Sequence, residues 1–189
     1  MMKAKLYALA ASALFFASAC IPSSSKKASA EMETVESDHF SLEIPVGLRE
    51  NDRLNEDAVL CYASLLKGIY IMVLEDTKEE FEAALINEEL TDYYTNDLDG
   101  YDQLITDAFG IDSDVETGQR TTEKKTVNGL PCIANSFSLE ANGTPFAYDL
   151  VCVEGRDHYY QLIFFTQEKD SEKYAAIRAK VLASFREKE

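Results

Sequence analysis

Residues 121–167 place the tightest limit on the fold. CIANSFSLE (132–140), FAYDLVCVE (146–154) and HYYQLIFFT (158–166) are rich in β-branched and aromatic residues, and only ANGTP and GRD separate them. A parallel connection needs a crossover of about a dozen residues or more. Neither linker is long enough, and both have turn composition, so the three runs read as an antiparallel meander. TTEKKTV (121–127) leads into it through the turn pair Asn128-Gly129.

The rest of the chain keeps strands and helices apart. HFSLEIP (39–45) alternates Phe40, Leu42 and Ile44 and stops at Pro45, as a strand does. AVLCYAS (58–64) and GIYIMVLED (68–76) are apolar on both faces and read as central strands. Thr77 followed by Glu80 spells a capping box, and the helix it opens turns Phe81, Ala84 and Leu85 inward. A second helix carries Tyr101, Leu104, Ile105, Ala108 and Phe109 and stops at Gly110. Asp170 opens a closing helix with Tyr174, Ile177, Val181, Leu182 and Phe185 on one stripe. The order is β-β-β-α-α, then the β meander, then α. Segregated strands and helices exclude a doubly wound parallel sheet and predict an α+β fold, an antiparallel β-sheet packed by helices.

The N-terminus supplies an address. MMKAK is basic, LYALAASALFF is apolar, and Ala17-Ser18-Ala19 fits a small-residue cleavage site, so residues 1–19 read as a secretory signal peptide. The apolar run has eleven residues, short of the roughly 20 that span a bilayer. ASAC (17–20) resembles a bacterial lipobox, with Ala17 where such motifs usually carry Leu or another large aliphatic. On that reading Cys20 is lipidated and becomes the mature N-terminus. Ordinary cleavage after Ala19 or Ala30 is the other reading. Residues 20–37, rich in Ser, Lys and Glu, then form a lipid anchor and flexible tether, and 38–189 a single domain. The expected location is the cell membrane or envelope, lipid-anchored on the extracytoplasmic side.

Charge removes one class of partner. The formal net charge is −16, and losing Lys3 and Lys5 with the signal peptide leaves the remainder near −18. Such a surface repels nucleic acid and anionic headgroups, so no nucleic-acid role is expected and the membrane contact falls to the lipid on Cys20. Residues 75–116 hold fifteen Asp or Glu and one Lys, Lys78. Asp97, Asp99 and Asp102 in DLDGYD resemble part of a calcium loop. With Gly100 at the sixth position, however, the first and twelfth fall on Thr95 and Thr106, neither a carboxylate. The stretch reads as a solvated acidic face, and no metal or cofactor is expected.

FSLEIP, KTVNGLPC, the Tyr-Tyr strand HYYQLIFFT and the closing Ala183-Ser184-Phe185 resemble the PsbP-like fold over roughly residues 38–186. That fold is shared by an extrinsic photosystem subunit, a nuclear import factor that binds the GTPase Ran, and many bacterial lipoproteins. The resemblance implies a noncatalytic binding or assembly module and brings no catalytic residue with it.

Candidate side chains are few. If Glu140 faces Thr144 across the second hairpin, Cys132 faces Cys152, and a cross-strand disulfide worth about 3 kcal/mol can form. Otherwise the two are buried thiols. Cys61 reads as buried. The same register sets Asn135 opposite Asp149, with Gln161 adjacent, as polar members of a partner or ligand groove or of a wetter sheet face. His39 and His158 fall at strand edges. G-x-S-x-G, H-E-x-x-H, C-x-x-C and phosphate-loop motifs are absent from the sequence. The leading function is a membrane-anchored, noncatalytic binding or accessory module with an envelope protein as partner. The alternatives are a small-molecule or divalent-ion binding protein, and an envelope enzyme using His158 with Asp157 or Asp149.

Overall fold

The computed structural model describes residues 30–51, 54–55, 57–109, 120–141 and 143–189. Cys20 and the signal peptide lie outside them, as does Gly110. Ten strands and three helices follow in the order β1 (Met32–Glu36), β2 (Phe40–Pro45), β3 (Arg49–Glu50), β4 (Leu60–Ser64), β5 (Ile69–Thr77), α1 (Lys78–Asn87), α2 (Leu98–Ala108), β6 (Thr121–Val127), β7 (Leu130–Ala141), β8 (Thr144–Glu154), β9 (His158–Gln167), α3 (Ser171–Ser184) and β10 (Arg186–Glu187). Seven strands form one antiparallel sheet in the order β3-β4-β5-β9-β8-β7-β6, and β1-β2-β10 form a second.

The seven-stranded sheet is covered on both faces. One face carries Ile71, Val73, Val151, Val153, Tyr160, Leu162 and Phe164, which pack with Phe40, Leu42 and Ile44 of the small sheet and with Tyr174, Ile177 and Val181 of α3. The other carries Met72, Leu150, Cys152, Tyr159 and Ile163 beneath Phe81 and Leu85 of α1 and Tyr101 of α2. Burial on both faces explains why β5, β8 and β9 read as continuous apolar runs.

Local signals in the sequence set several boundaries. Thr77 Oγ1 accepts the Glu80 N–H at 3.1 Å while Glu80 Oε2 accepts the Thr77 N–H at 3.0 Å, the reciprocal capping box that starts α1. Asn128 (φ 49°) and Gly129 (φ 91°) make the two-residue turn between β6 and β7.

Four details differ from the sequence-based expectation. Met32–Glu36, placed in the tether, is strand β1, paired from Met32↔Pro45 to Glu36↔Ser41. Only Val35 is a large apolar residue in its second half, so its hydrophobic pattern is weak, and pairing with β2 holds it. Ala84 and Ala108 are exposed, and α2 buries Gly100, Tyr101, Asp102 and Thr106. Its inward stripe is partly polar, which an apolar count cannot find. Asp170 precedes α3 without a side-chain capping bond.

The fourth difference is the register of the second hairpin. Ala141 pairs with Thr144, leaving two residues for the connection, the second of them Gly143 at φ 75°. Every β8 partner therefore moves by one from the Glu140–Thr144 expectation, which flips β8 side chains relative to β7. Cys132 faces Val153 and Ile133 faces Cys152, so the two cysteines lie on opposite faces of the sheet and both are free thiols. Of the two readings of this pair, the Cys132–Cys152 disulfide is excluded and two buried thiols are found.

Candidate functional site

The polar side chains that α2 lays on the sheet form a buried seam. Asp97 caps the helix by accepting the Gly100 N–H at 2.9 Å. Tyr101 and Asp102 then enter the core at 1% and 5% exposure. Asp102 Oδ1 accepts from Asn135 Nδ2 at 2.7 Å. Asn135 Oδ1 in turn accepts from Arg120 Nε at 3.2 Å, Arg120 Nη2 at 3.1 Å and Thr122 Oγ1 at 2.8 Å. Tyr101 donates its hydroxyl hydrogen to Asp76, and Gln161 Nε2 donates to the Tyr101 oxygen at 2.9 Å and to Asp76 Oδ2 at 3.3 Å.

Burial governs the ionisation of this seam. It raises the Asp102 carboxyl above the ordinary carboxylate range, with Cys152, Asn135 and Arg120 pulling the other way. The Cys152 thiol is raised well above its usual value by burial and then by Asp102. The Tyr101 phenol is likewise raised, by burial first and then by Asp76. Raised thiol and phenol values keep both groups protonated, as donors instead of nucleophiles.

The groove expected from Asn135, Asp149 and Gln161 does not exist as such. Asn135 is fully buried and Gln161 is 6% exposed, so a ligand reaches them only by displacing α2. Asp149 faces Ser136, not Asn135, and belongs to the opposite face of the sheet. There Ser136 Oγ donates to its Oδ1 at 2.5 Å, and Arg178 Nε of α3 lies 2.8 Å from Oδ2, off the line of a good hydrogen bond. Burial raises the Asp149 carboxyl too, against Ser136 and Arg178. The wetter-face reading fails along with the groove, because α2 and α3 cover these residues.

The acidic run also divides. Asp97 caps α2, Asp99 pairs with Lys124, and Asp102 holds Asn135, so the three carboxylates of DLDGYD point to three different tasks.

Two further places carry accessible chemistry, at opposite ends of β5. Near Thr77, His39 and His158 stack with ring centroids 4.4 Å apart, and His39 Nδ1 lies 2.8 Å from Glu75 Oε1. Near Ile69, the β4–β5 turn exposes Leu65 and Leu66 at 77% and 98% beside a cleft that Gly47, Arg49, Glu50 and Lys67 also line. Sequence reasoning named His39 and His158 singly and set His158 with Asp157 or Asp149, but it missed their meeting with Glu75, which strand pairing brings about, and it missed the leucine turn. Leu65-Leu66 preceding the Gly68 turn was the one local signal available.

No family model and no curated protein sequence matches the chain. Cyanobacterial PsbP (CyanoP) from Synechocystis sp. PCC 6803 is similar in structure, with TM-score 0.52 and 10% identity over 85% of this chain and 95% of that one. The fold is PsbP-like. LpqN, involved in cell envelope biogenesis of Mycobacterium tuberculosis, has TM-score 0.51 and 9% identity over 84% of this chain and 91% of its own. A Bacteroides thetaiotaomicron structure has TM-score 0.47 and 9% identity over 79% of this chain, which spans 45% of that protein. Among the described residues no helix is long and apolar enough to cross a membrane.

Proposed function

We propose that the chain is a membrane-anchored, extracytoplasmic accessory module of the cell envelope, held by lipidated Cys20, that docks a protein partner and catalyses no reaction. The observation that carries this reading is where the chain enters the fold. Glu31 O accepts the Val46 N–H at 2.9 Å and Met32 pairs with Pro45. Gly47 follows at once and shares its cleft with the exposed Leu65 and Leu66. Residues 21–29 are all that separate Cys20 from Ala30, at most roughly 35 Å of extended chain. An anchor at Cys20 therefore joins the domain at its leucine-turn end, with the point of entry at most roughly 35 Å from the membrane plane.

Apolar residues beside Arg49, Glu50 and Lys67 suit a protein surface. The net charge disfavours adsorption on anionic lipid itself. LpqN supports the envelope setting by likeness of fold alone. Among the described residues the two histidine rings meet Glu75 and each other and hold no hydroxyl or thiol, which favours a binding role over an enzyme.

The test uses the full chain in its bacterial membranes. Mass spectrometry finds acyl chains on Cys20, and Cys20→Ser releases the protein from the membrane fraction. A photo-crosslinker at Leu66 gives a stoichiometric adduct with one envelope protein, whereas one at Arg156, at the opposite end of the domain, does not. An unmodified Cys20, or equal adducts from both positions, overturns the reading.

A further inference from the structure

His39, Glu75 and His158 come from three separate places in the chain to one point at the end of the domain opposite Leu65 and Leu66. His39 precedes β2, Glu75 lies near the end of β5, and His158 opens β9. One ligand atom from each lies within 4.8 Å of the other two.

Both histidine backbones are tied down. His39 O accepts the Lys188 N–H at 2.8 Å, and His158 O accepts the Gly155 N–H at 2.8 Å while His158 pairs with Thr77. Glu75 Oε1 meets His39 Nδ1 at 2.8 Å, but its other oxygen, Oε2, is buried with no hydrogen-bond partner. A buried carboxylate oxygen without a partner is costly. Two imidazoles stacked with centroids 4.4 Å apart repel when both carry a proton. One ligand answers both problems: a cation that takes lone pairs from two neutral imidazoles and from the Glu75 carboxylate, whose charge it offsets.

We propose that His39, Glu75 and His158 bind a divalent transition metal ion of the zinc type. Two nitrogens and a carboxylate oxygen are the donor set such ions prefer, whereas calcium takes six to eight oxygens. A tetrahedral ion holds its ligands about 3.3 Å apart, so small rotations of the exposed His39 ring bring the set into place. Three protein ligands leave the fourth position to water or to a donor from another molecule. Of the acids around the site, Glu80 is engaged in the α1 capping box, and Asp157 adjoins His158 in sequence but lies outside the three-residue cluster. Their charges favour a cation without filling its coordination sphere. The site stands independently of the proposed anchor.

Calorimetric titration of the chelator-treated full chain with Zn2+ tests this. The expected result is one equivalent bound and a raised Tm, with no heat from Ca2+. His39→Ala and His158→Ala each weaken Zn2+ binding at least tenfold, while Asp99→Asn, in the acidic run, leaves it unchanged. Co2+ gives the intense visible bands of four-coordinate geometry in the parent and loses them in both histidine variants. Both variants keep the parent far-UV spectrum, because His39 and His158 lie outside the two hydrophobic clusters. No binding by the parent, or equal binding by parent and both histidine variants, overturns the proposal.

Discussion

Asn135 Nδ2 donates to Asp102 Oδ1 at 2.7 Å, and this bond fastens α2 to the centre of β7. Both residues are buried, and Asn135 serves Arg120 and Thr122 on its other side. Replacing it takes one partner from the buried Asp102 carboxyl, and one from the half-buried Arg120 and the exposed Thr122. Asn135→Ala is therefore expected to destabilise the domain by about 3 kcal/mol, the scale of orphaned buried groups next to a charge. Urea unfolding measures it, and a loss below about 0.5 kcal/mol would mean that the seam does not hold α2.

Asp102 makes stability depend on pH in a direction opposite to most surface carboxylates. Its folded value is raised by burial above the ordinary 3.8 of an exposed aspartate, so the folded state binds its proton more tightly than the unfolded state does. Its contribution is full below about pH 3.8 and declines as pH rises through the raised folded value. Asp102→Asn removes that term. The Tm difference between parent and variant should fall steadily, to the parent's disadvantage, as pH rises from 3.8 towards neutrality. A difference independent of pH would mean that Asp102 titrates normally.

The architecture was legible because it rests on local signals. Runs separated by three to five residues could only fold back on themselves, and Thr77 and Asn128-Gly129 named their own boundaries. The site was not legible, for two physical reasons. Register has period two, so counting ANGTP as a three-residue loop instead of a two-residue one exchanged the faces of all of β8. Asn142-Gly143 in that linker was the clue, since Asn-Gly favours two-residue hairpins. The buried stripe of α2 contains Asp102 and Thr106, and a polar residue reads as solvent-facing until its partner, here Asn135 on β7, is known. His39, Glu75 and His158 gave no pattern, because residues distant in sequence meet only once β2, β5 and β9 are in place.

Register has a chemical readout in the cysteines. Cys61, Cys132 and Cys152 are buried thiols outside any disulfide, with the last two on opposite faces. Thiol reagents should label none of the three quickly in the folded domain and all three in denaturant without reductant. Only one labelled thiol after denaturation would show that two had paired, and would require the register that faces Cys132 with Cys152.

Gly100 permits α2 to begin where it does. A Cβ on this residue would lie 1.8 Å from the Thr95 carbonyl oxygen, a backbone atom that cannot rotate away. Gly100→Ala must push the α1–α2 connection off the helix and loosen the Asp97 cap. Overpacking of this kind costs about 1–3 kcal/mol or more. The helix-propensity gain of Ala, about 1 kcal/mol, works against it but is smaller. Denaturant unfolding should show net destabilisation, and a more stable variant would mean that the loop yields freely.

Asn128 does two tasks that substitution can separate. It occupies the left-handed position before Gly129 in the β6–β7 turn, at φ 49°. Its Nδ2 also donates to Ala183 O at 2.9 Å and to Phe185 O at 2.7 Å, where α3 ends. The last carbonyls of a helix have no partner within it, so this amide closes the end of α3 from across the fold. Asn128→Gly keeps the turn, since glycine accepts positive φ freely, and loses only the two bonds. Asn128→Ala loses both the bonds and the conformational preference. Asn128→Asp keeps the turn but sets a carboxylate against carbonyl oxygens at the negative end of a helix dipole. Expected losses are about 1 kcal/mol for Gly and about 2 kcal/mol for Ala, with Asp below Gly in stability despite its similar shape. The Gly variant should in addition show faster amide exchange at the end of α3 while the β6–β7 turn stays protected. If Gly and Ala were equally stable, the left-handed turn position would contribute nothing. If Asp matched the parent, the bonds to Ala183 and Phe185 would not form in solution.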